Sequence, residues 1–210
     1  RTDNSFVTKF KFTDILNLYN EIDDSWIEIH FYNRHNFHIK KIIIEKLDYS
    51  NEILIDKNFM GNLESYGTFY VYHRTNKNIN EDIISNRCYI GYSQYNNLFS
   101  FVHGNCYSQY LNNKTGKINK DIVQISIRKN QIYNIQKYFD NYDKLELAFV
   151  NPTQNKLSFT INNEFYRLAG GESKIIKIKD TSSIIIKSNC LFFRPTIFFY
   201  KNNYLDVHHS

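Results

Sequence analysis

Residues 26–31, Trp-Ile-Glu-Ile-His-Phe, alternate in character. Trp26, Glu28 and His30 fall on one face, and Ile27, Ile29 and Phe31 on the other. A period of two belongs to an extended strand with one buried side, because successive side chains of a strand point to opposite faces. The pattern recurs. Residues 145–149 repeat it; Phe6, Phe10 and Phe12 fall in phase, as do Val123, Ile125 and Ile127. Residues 69–72, 175–178 and 184–186 are β-branched or aromatic runs, which favour strands. Residues 192–200 are aromatic, with Pro195 placing them at an edge or a bulge.

Helical periodicity is confined to two short places. Residues 13–22 predict a helix capped by Thr13 or Asp14, with Ile15, Leu18, Tyr19 and Ile22 on one face. Residues 132–138 form a second, similar case. Closely spaced strands with little helix point to an all-β fold: two tandem, duplicated β-sandwich domains, immunoglobulin-like or jelly-roll-like. The 210 residues are 42% hydrophobic and 17% aromatic, enough to fill a core in each. The phrase at residues 148–153, followed by strands and Gly170-Gly171, has the pattern of an immunoglobulin-like edge.

The duplication rests on matches in the same order. At an offset of 118, Ile27/Leu145, Glu28/Glu146, Ile29/Leu147, Phe31/Phe149 and Asn33/Asn151 agree in type. Gly67 stands opposite Gly171, the Ser-Asn before Cys88 opposite that before Cys190, and His103 opposite His208, with the offset falling to about 104. Extra residues in the first copy, around 48–60, account for the fall. The expected domains are residues 1–115 and 116–210, joined at the polar stretch 112–117.

Formal net charge is +5, and the chain contains 28 Asn. The densest basic places are Lys40-Lys41 and Lys174, Lys177 and Lys179. They read as solvated strand faces, so no nucleic-acid partner is expected. No apolar run approaches the roughly 20 residues needed to cross a bilayer, so no membrane span is expected. Three cysteines at irregular spacing argue against a disulfide framework and a closed zinc site. The chain opens on Arg1 and not Met, as a fragment or processed product would.

Residues 88–106 read as a hairpin turning at Asn96, Asn97 and Leu98. A three-residue turn would bring Cys88 opposite Cys106; a two-residue turn would set it opposite Asn105. Reduced thiols are the expected state.

No nucleophile elbow, zinc-protease helix or phosphate loop is present, and no cofactor is expected. His30, His35 and His38 straddle a loop and have the residue type for Zn²⁺ or Ni²⁺, but they read as exposed strand positions. His103 and His208 share a position and a structural reading, a ring N–H bonded to a backbone carbonyl. Tyrosines are the more suggestive supply. Tyr70 and Tyr72 share a strand face, and Tyr89, Tyr92 and Tyr95 line the hairpin. A phenol ring offers an apolar face and a hydroxyl, suited to stacking on sugars or anchoring a protein. The candidate ligand-binding set is Tyr70, Tyr72, Arg87, Tyr92, Gln94, His103 and Asn105. The second copy lacks most of these tyrosines, so the site is expected in the first copy or at the junction.

The function expected is a non-catalytic binding module for a glycan or a protein partner. The alternatives are a structural or assembly protein of a surface or viral structure, and an enzyme using His103 near the hairpin base.

Overall fold

A computed structural model describes residues 1–77, 88–95, 97–103, 142–178, 183–188, 190 and 193–209, with the backbone of short strands at 111–112, 117–118 and 131–136. The first half runs β1 (Phe6–Phe12), α1 (Ile15–Asn20), β2 (Trp26–Asn33), β3 (His38–Ile44), β4 (Asn51–Ile55), β5 (Gly67–Arg74), β6 (Cys88–Gln94) and β7 (Ser100–His103). A two-strand ladder, β8 (Leu111–Asn112) and β9 (Lys117–Ile118), brackets the polar stretch expected to join the halves. Next come β10 (Gln131–Gln136), β11 (Lys144–Val150), β12 (Leu157–Ile161), β13 (Glu164–Leu168), β14 (Ser173–Ile178), β15 (Ser183–Ser188), β16 (Thr196–Lys201) and β17 (Tyr204–His209).

The chain folds as two β-sandwiches. The first sets sheet β4-β1-β6-β7 against sheet β3-β2-β5, and the second sets β14-β11-β16-β17 against β10-β15-β12-β13. Phase decides what each strand buries. Ile27, Ile29 and Phe31 of β2 meet Phe10 and Phe12 of β1 and Ile55 of β4 in the first core. Leu145, Leu147 and Phe149 of β11 meet Leu157, Phe159 and Ile161 of β12 in the second. Each such side chain contributes about 1.5–3 kcal/mol through removal from water.

The two sandwiches share one topology. Setting aside β10, the order 4-1-6-7 over 3-2-5 returns as 14-11-16-17 over 13-12-15. With Phe10 set opposite Leu147 and Ile29 opposite Phe159, the ladders assign the other counterparts. Phe10 faces Ile53 and Ile90, and Leu147 faces Ile176 and Ile197. Ile90 faces Val102 as Ile197 faces His208. Ile29 faces Ile42 and Val71 as Phe159 faces Tyr166 and Ser188. The spacing between equivalents falls steadily, from 137 for Phe10/Leu147 to 106 for Val102/His208, as the second sandwich shortens its connections.

This equivalence corrects the sequence alignment. At an offset of 118, β2 was matched to β11, but β11 is the counterpart of β1, and β2 is the counterpart of β12. All four strands carry apolar residues at every second position, so the pattern alone does not tell one from another. His103 and His208 are likewise not equivalent. His103 points off the outer face with Tyr89, whereas His208 pairs with Ile197 on the inner side.

Other expectations change too. The helix over 13–22 shrinks to the six residues of α1, with the Asp14 side chain accepting from Asn17 N at 3.1 Å and Glu21 turning left-handed at φ 55°. Leu16 and, past that turn, Ile22 are buried, while Leu18 and Tyr19 are exposed. Residues 131–136 form β10 and not a helix, paired with β15. Pro195 lies just before β16, so the aromatic run becomes an interior strand between β11 and β17 and loses no ladder bond. The hairpin of β6 and β7 forms, but Tyr89 faces His103, a register neither expected turn produces. Ser93 Oγ donates to the Asn97 carbonyl at 2.6 Å and Tyr95 adopts φ 55°, which reverses the chain earlier. Residues 123–127, Lys179 and Cys106 lie outside the described residues. Among the described residues no helix is long and apolar enough to cross a membrane.

The sandwiches touch through a third, smaller core. Phe6 and Val102 of the first pack on Phe198 and Val207 of the second, with Tyr92, Ala148, Tyr200 and Leu205 around them. The inner face of β4-β1-β6-β7 is therefore shared between its own partner sheet and the outer face of β14-β11-β16-β17.

Candidate functional site

The outer face of β3-β2-β5 carries the richest array of chemistry among the described residues. Alternation along β2 turns Trp26, Glu28, His30 and Tyr32 outward while its isoleucines fill the core. Antiparallel pairing sets Arg74, Tyr72, Tyr70 and Thr68 of β5 beside them in that order. On the other flank Ile43 and Lys41 of β3 face Glu28 and His30. A bulge at Phe31/Tyr32 then brings His38 opposite Tyr32.

The rings interlock. His30 lies 5.2 Å from Tyr72 and 5.5 Å from His38, and Tyr32 lies 5.3 Å from His38 and 5.4 Å from Tyr70, all between ring centroids. Three of these pairs are edge-on, the arrangement that ring quadrupoles favour. The Arg74 guanidinium sits 5.2 Å above Tyr72.

Glu28 is the hub. Its Oε2 takes Lys41 Nζ at 3.2 Å, His30 Nε2 at 3.4 Å and Arg74 Nη2 at 3.7 Å, and its Oε1 accepts from Trp26 Nε1 at 3.5 Å. Burial pushes its carboxyl up, but the bonds from Lys41, His30 and Trp26 and the charge of Arg74 outweigh it and hold the group below its ordinary value. It is an ionised acceptor at neutral pH. Burial raises the phenols of Tyr70 and Tyr72, and neighbouring tyrosines add to the rise, so both remain neutral hydroxyls. At the Trp26 end the face dips into an open depression of about 330 Å³, lined by Asp23, Asp24, Ser25, Trp26, Ile43 and Glu45.

The second sandwich provides an internal comparison. Its residues at the positions of Glu28, His30, Tyr70 and Lys41 are Ser158, Thr160, Lys187 and Phe165. The same topology forms there without the imidazole, the tyrosine or the carboxylate, so the fold does not require the array.

The sequence-derived set divides. Tyr70 and Tyr72 belong to this face. Tyr92 does not; it packs 4.9 Å from Phe198 in the junction core, and burial pushes its phenol up to about 12. Gln94 is buried, with Nε2 donating to the Asn4 carbonyl at 2.8 Å. His103 stacks on Tyr89 at 4.9 Å, on a different sheet face. Arg87 and Asn105 lie outside the described residues. His30 and His38 do approach each other, but His35 turns away to Glu172 of the second sandwich, 3.3 Å off. No group of three metal-ligating side chains comes together among the described residues. Trp26, Glu28, Tyr32, Lys41 and Arg74 were not in the set. The alternation at residues 26–31 was the signal for the first two; the others needed the strand register.

A buried Ser-His-Asp cluster also forms, and it is not a catalytic triad. His73 Nε2 faces both Ser25 Oγ at 3.1 Å and Asp14 Oδ1 at 3.2 Å, while the Ser25 hydroxyl donates directly to Asp14 at 3.0 Å. A relay needs the acid on one ring nitrogen and the nucleophile on the other. Here the cluster anchors the helix cap that Asp14 forms on α1.

Comparison with protein families, with curated proteins and with solved structures returns no match for this chain.

Proposed function

We propose that the chain is a non-catalytic binding module that takes a glycan on the outer face of β3-β2-β5. The observation that carries this reading is the contrast between the sandwiches: the first places a ring array and a carboxylate ringed by Lys41, His30, Trp26 and Arg74 on a face that the second fills with unrelated side chains. Tyr72 and His30 offer ring surface to the C–H groups of a sugar. Glu28, Lys41 and the two phenols offer acceptors and donors to its hydroxyls. The depression beside Trp26 gives the ligand an end stop.

The recurring strand order leads us to infer that the sandwiches arose by tandem duplication, after which only the first acquired this array.

The test is a thermal-shift series with mono- and oligosaccharides, repeated on Tyr72→Ala and His30→Ala. A ligand that binds only the folded state adds about 2.7 kcal/mol at a hundred times its Kd. A saturable rise in Tm that both variants lose is the expected result. A sugar-induced rise unchanged in both variants, or no rise with any sugar, overturns the reading.

A further inference from the structure

We propose that the junction between the sandwiches is a hinge opened by acid: a proton on His209 loosens it along β17, while the loop at residues 33–36 keeps it closed along β14. The first sandwich crosses the whole of sheet β14-β11-β16-β17 and is fastened differently at the two edges. At the β14 edge, Ser173 N donates to the Arg34 carbonyl at 2.9 Å and Asn36 Nδ2 to the Gly170 carbonyl at 3.2 Å, while His35 Nδ1 lies 3.3 Å from Glu172 Oε1. In the middle, Arg1 meets Glu146 and Phe6 packs edge-on against Phe198. At the β17 edge, β7 lies alongside. Val207 N donates to Ser100 Oγ at 3.0 Å, Asn97 Nδ2 to the Asn203 carbonyl at 2.9 Å, and His209 Nε2 to the His103 carbonyl.

The two edges answer a proton with opposite sign. At the β14 edge, a proton on His35 adds charge attraction to Glu172. The Ala169 N–H, with His35 and Lys174, holds that carboxyl below its ordinary value. The middle is indifferent to mild acid, because Glu146 stays ionised down to about 2.

His209 has no such partner. Its Nε2 is committed to a carbonyl, so the added proton goes to Nδ1, which is buried without a hydrogen-bond partner among the described residues. The charged groups that act on the ring are His103 of β7 and Arg194 ahead of β16, and both repel a positive charge. Asp206 of β17 is bonded to Ser100 and His208 instead. A buried cation without a counter-ion is costly. Opening this edge returns the ring to water, where it titrates near 6.5, so the open form binds more protons than the closed one and gains as pH falls. The contact freed is the one between β7 and β17, which covers Val102 and Val207.

Two amides that bond across the junction, Val207 N–H at one edge and Ser173 N–H at the other, serve as probes. Their hydrogen exchange is followed by NMR from neutral to mildly acidic pH and corrected for the intrinsic rate. The expected result is protection that falls several-fold at Val207 and holds at Ser173, with the fall abolished in His209→Gln. Thermal melts verify that the variant is folded. Should it not fold, Arg194→Gln takes its place, and removing that cation is expected to reduce the fall. Protection that is unchanged with pH, that falls equally at both amides, or that falls as before in a folded His209→Gln or in its Arg194→Gln substitute, overturns the proposal.

Discussion

Arg1 Nη1 lies 2.6 Å from Glu146 Oε2, and this pair ties the first sandwich to the second. The two side chains are only 6% and 2% exposed, and the guanidinium rests 4.0 Å from the Phe6 ring centre and 4.8 Å from that of Phe198. Glu146 also holds Lys144 at 2.7 Å and accepts from the Tyr200 hydroxyl at 2.8 Å. A carboxylate stands at the centre of an apolar junction because three donors replace its water.

Removing that charge strands a buried cation. Glu146→Gln is expected to cost about 2–4 kcal/mol, moderated because Asp3 still binds Arg1 at 2.9 Å. Denaturant unfolding measures the loss. A change under about 0.5 kcal/mol contradicts the account. The same carboxyl sets an acid limit. Burial pushes it up, but Lys144, Arg1 and Tyr200 together hold it at about 2, below the ordinary 4.5. Its contribution is complete above pH 4.5 and disappears as pH falls towards 2.

A gentler loss precedes it. Burial holds His73 and His209 below the ordinary imidazole value of 6.5, against the pull of Asp14 on the first and of the His103 carbonyl on the second. Nδ1 of His209 is buried without a hydrogen-bond partner among the described residues, so a proton added there meets no acceptor. The unfolded chain then binds more protons than the fold, and stability declines as pH drops below 6.5. His209→Gln retains an amide donor for the His103 carbonyl and should flatten that decline. Melts from neutral to mildly acidic pH show whether it does.

Gly67 sets the spacing of the candidate site. A Cβ there would lie 2.0 Å from the Tyr32 carbonyl oxygen, a backbone atom unable to swing aside. Gly67→Ala must push β5 from β2 at the end where Tyr32 meets Tyr70. The expected cost is about 1–3 kcal/mol, with weaker ligand binding alongside. Equal stability in the variant and the parent chain argues against so tight an approach.

Surface and core should separate sharply on β2 and its neighbour. Ile29 is wholly buried, and Ile29→Ala should cost about 2–5 kcal/mol. Tyr72, 36% exposed on the outer face, should cost under about 1 kcal/mol on truncation to Ala. Paired unfolding curves measure both. A larger cost at Tyr72 means the ring array supports the fold.

The sequence by itself determined the class of this protein. Alternation at residues 6–12, 26–31 and 145–149 depends only on the two-residue period of a strand, and burial follows that phase in all three save at Glu146, which the junction with the first sandwich covers. It also brought Tyr70 and Tyr72 to one face, because that too is local. Which strand lies beside which was decided only in three dimensions. β1, β2, β11 and β12 read almost alike, and nothing local separates a strand of one sheet from its counterpart in the other. The repeat could be sensed but was aligned one strand out of step. The candidate site shows the same division. Glu28 is within reach of Lys41 and Arg74 only because two registers place β3 and β5 on either side of β2. Tyr92 left the set because a second sandwich covers it, a contact between residues more than a hundred positions apart. Periodicity is carried by neighbours in the chain, whereas register and junction are fixed by packing between distant segments.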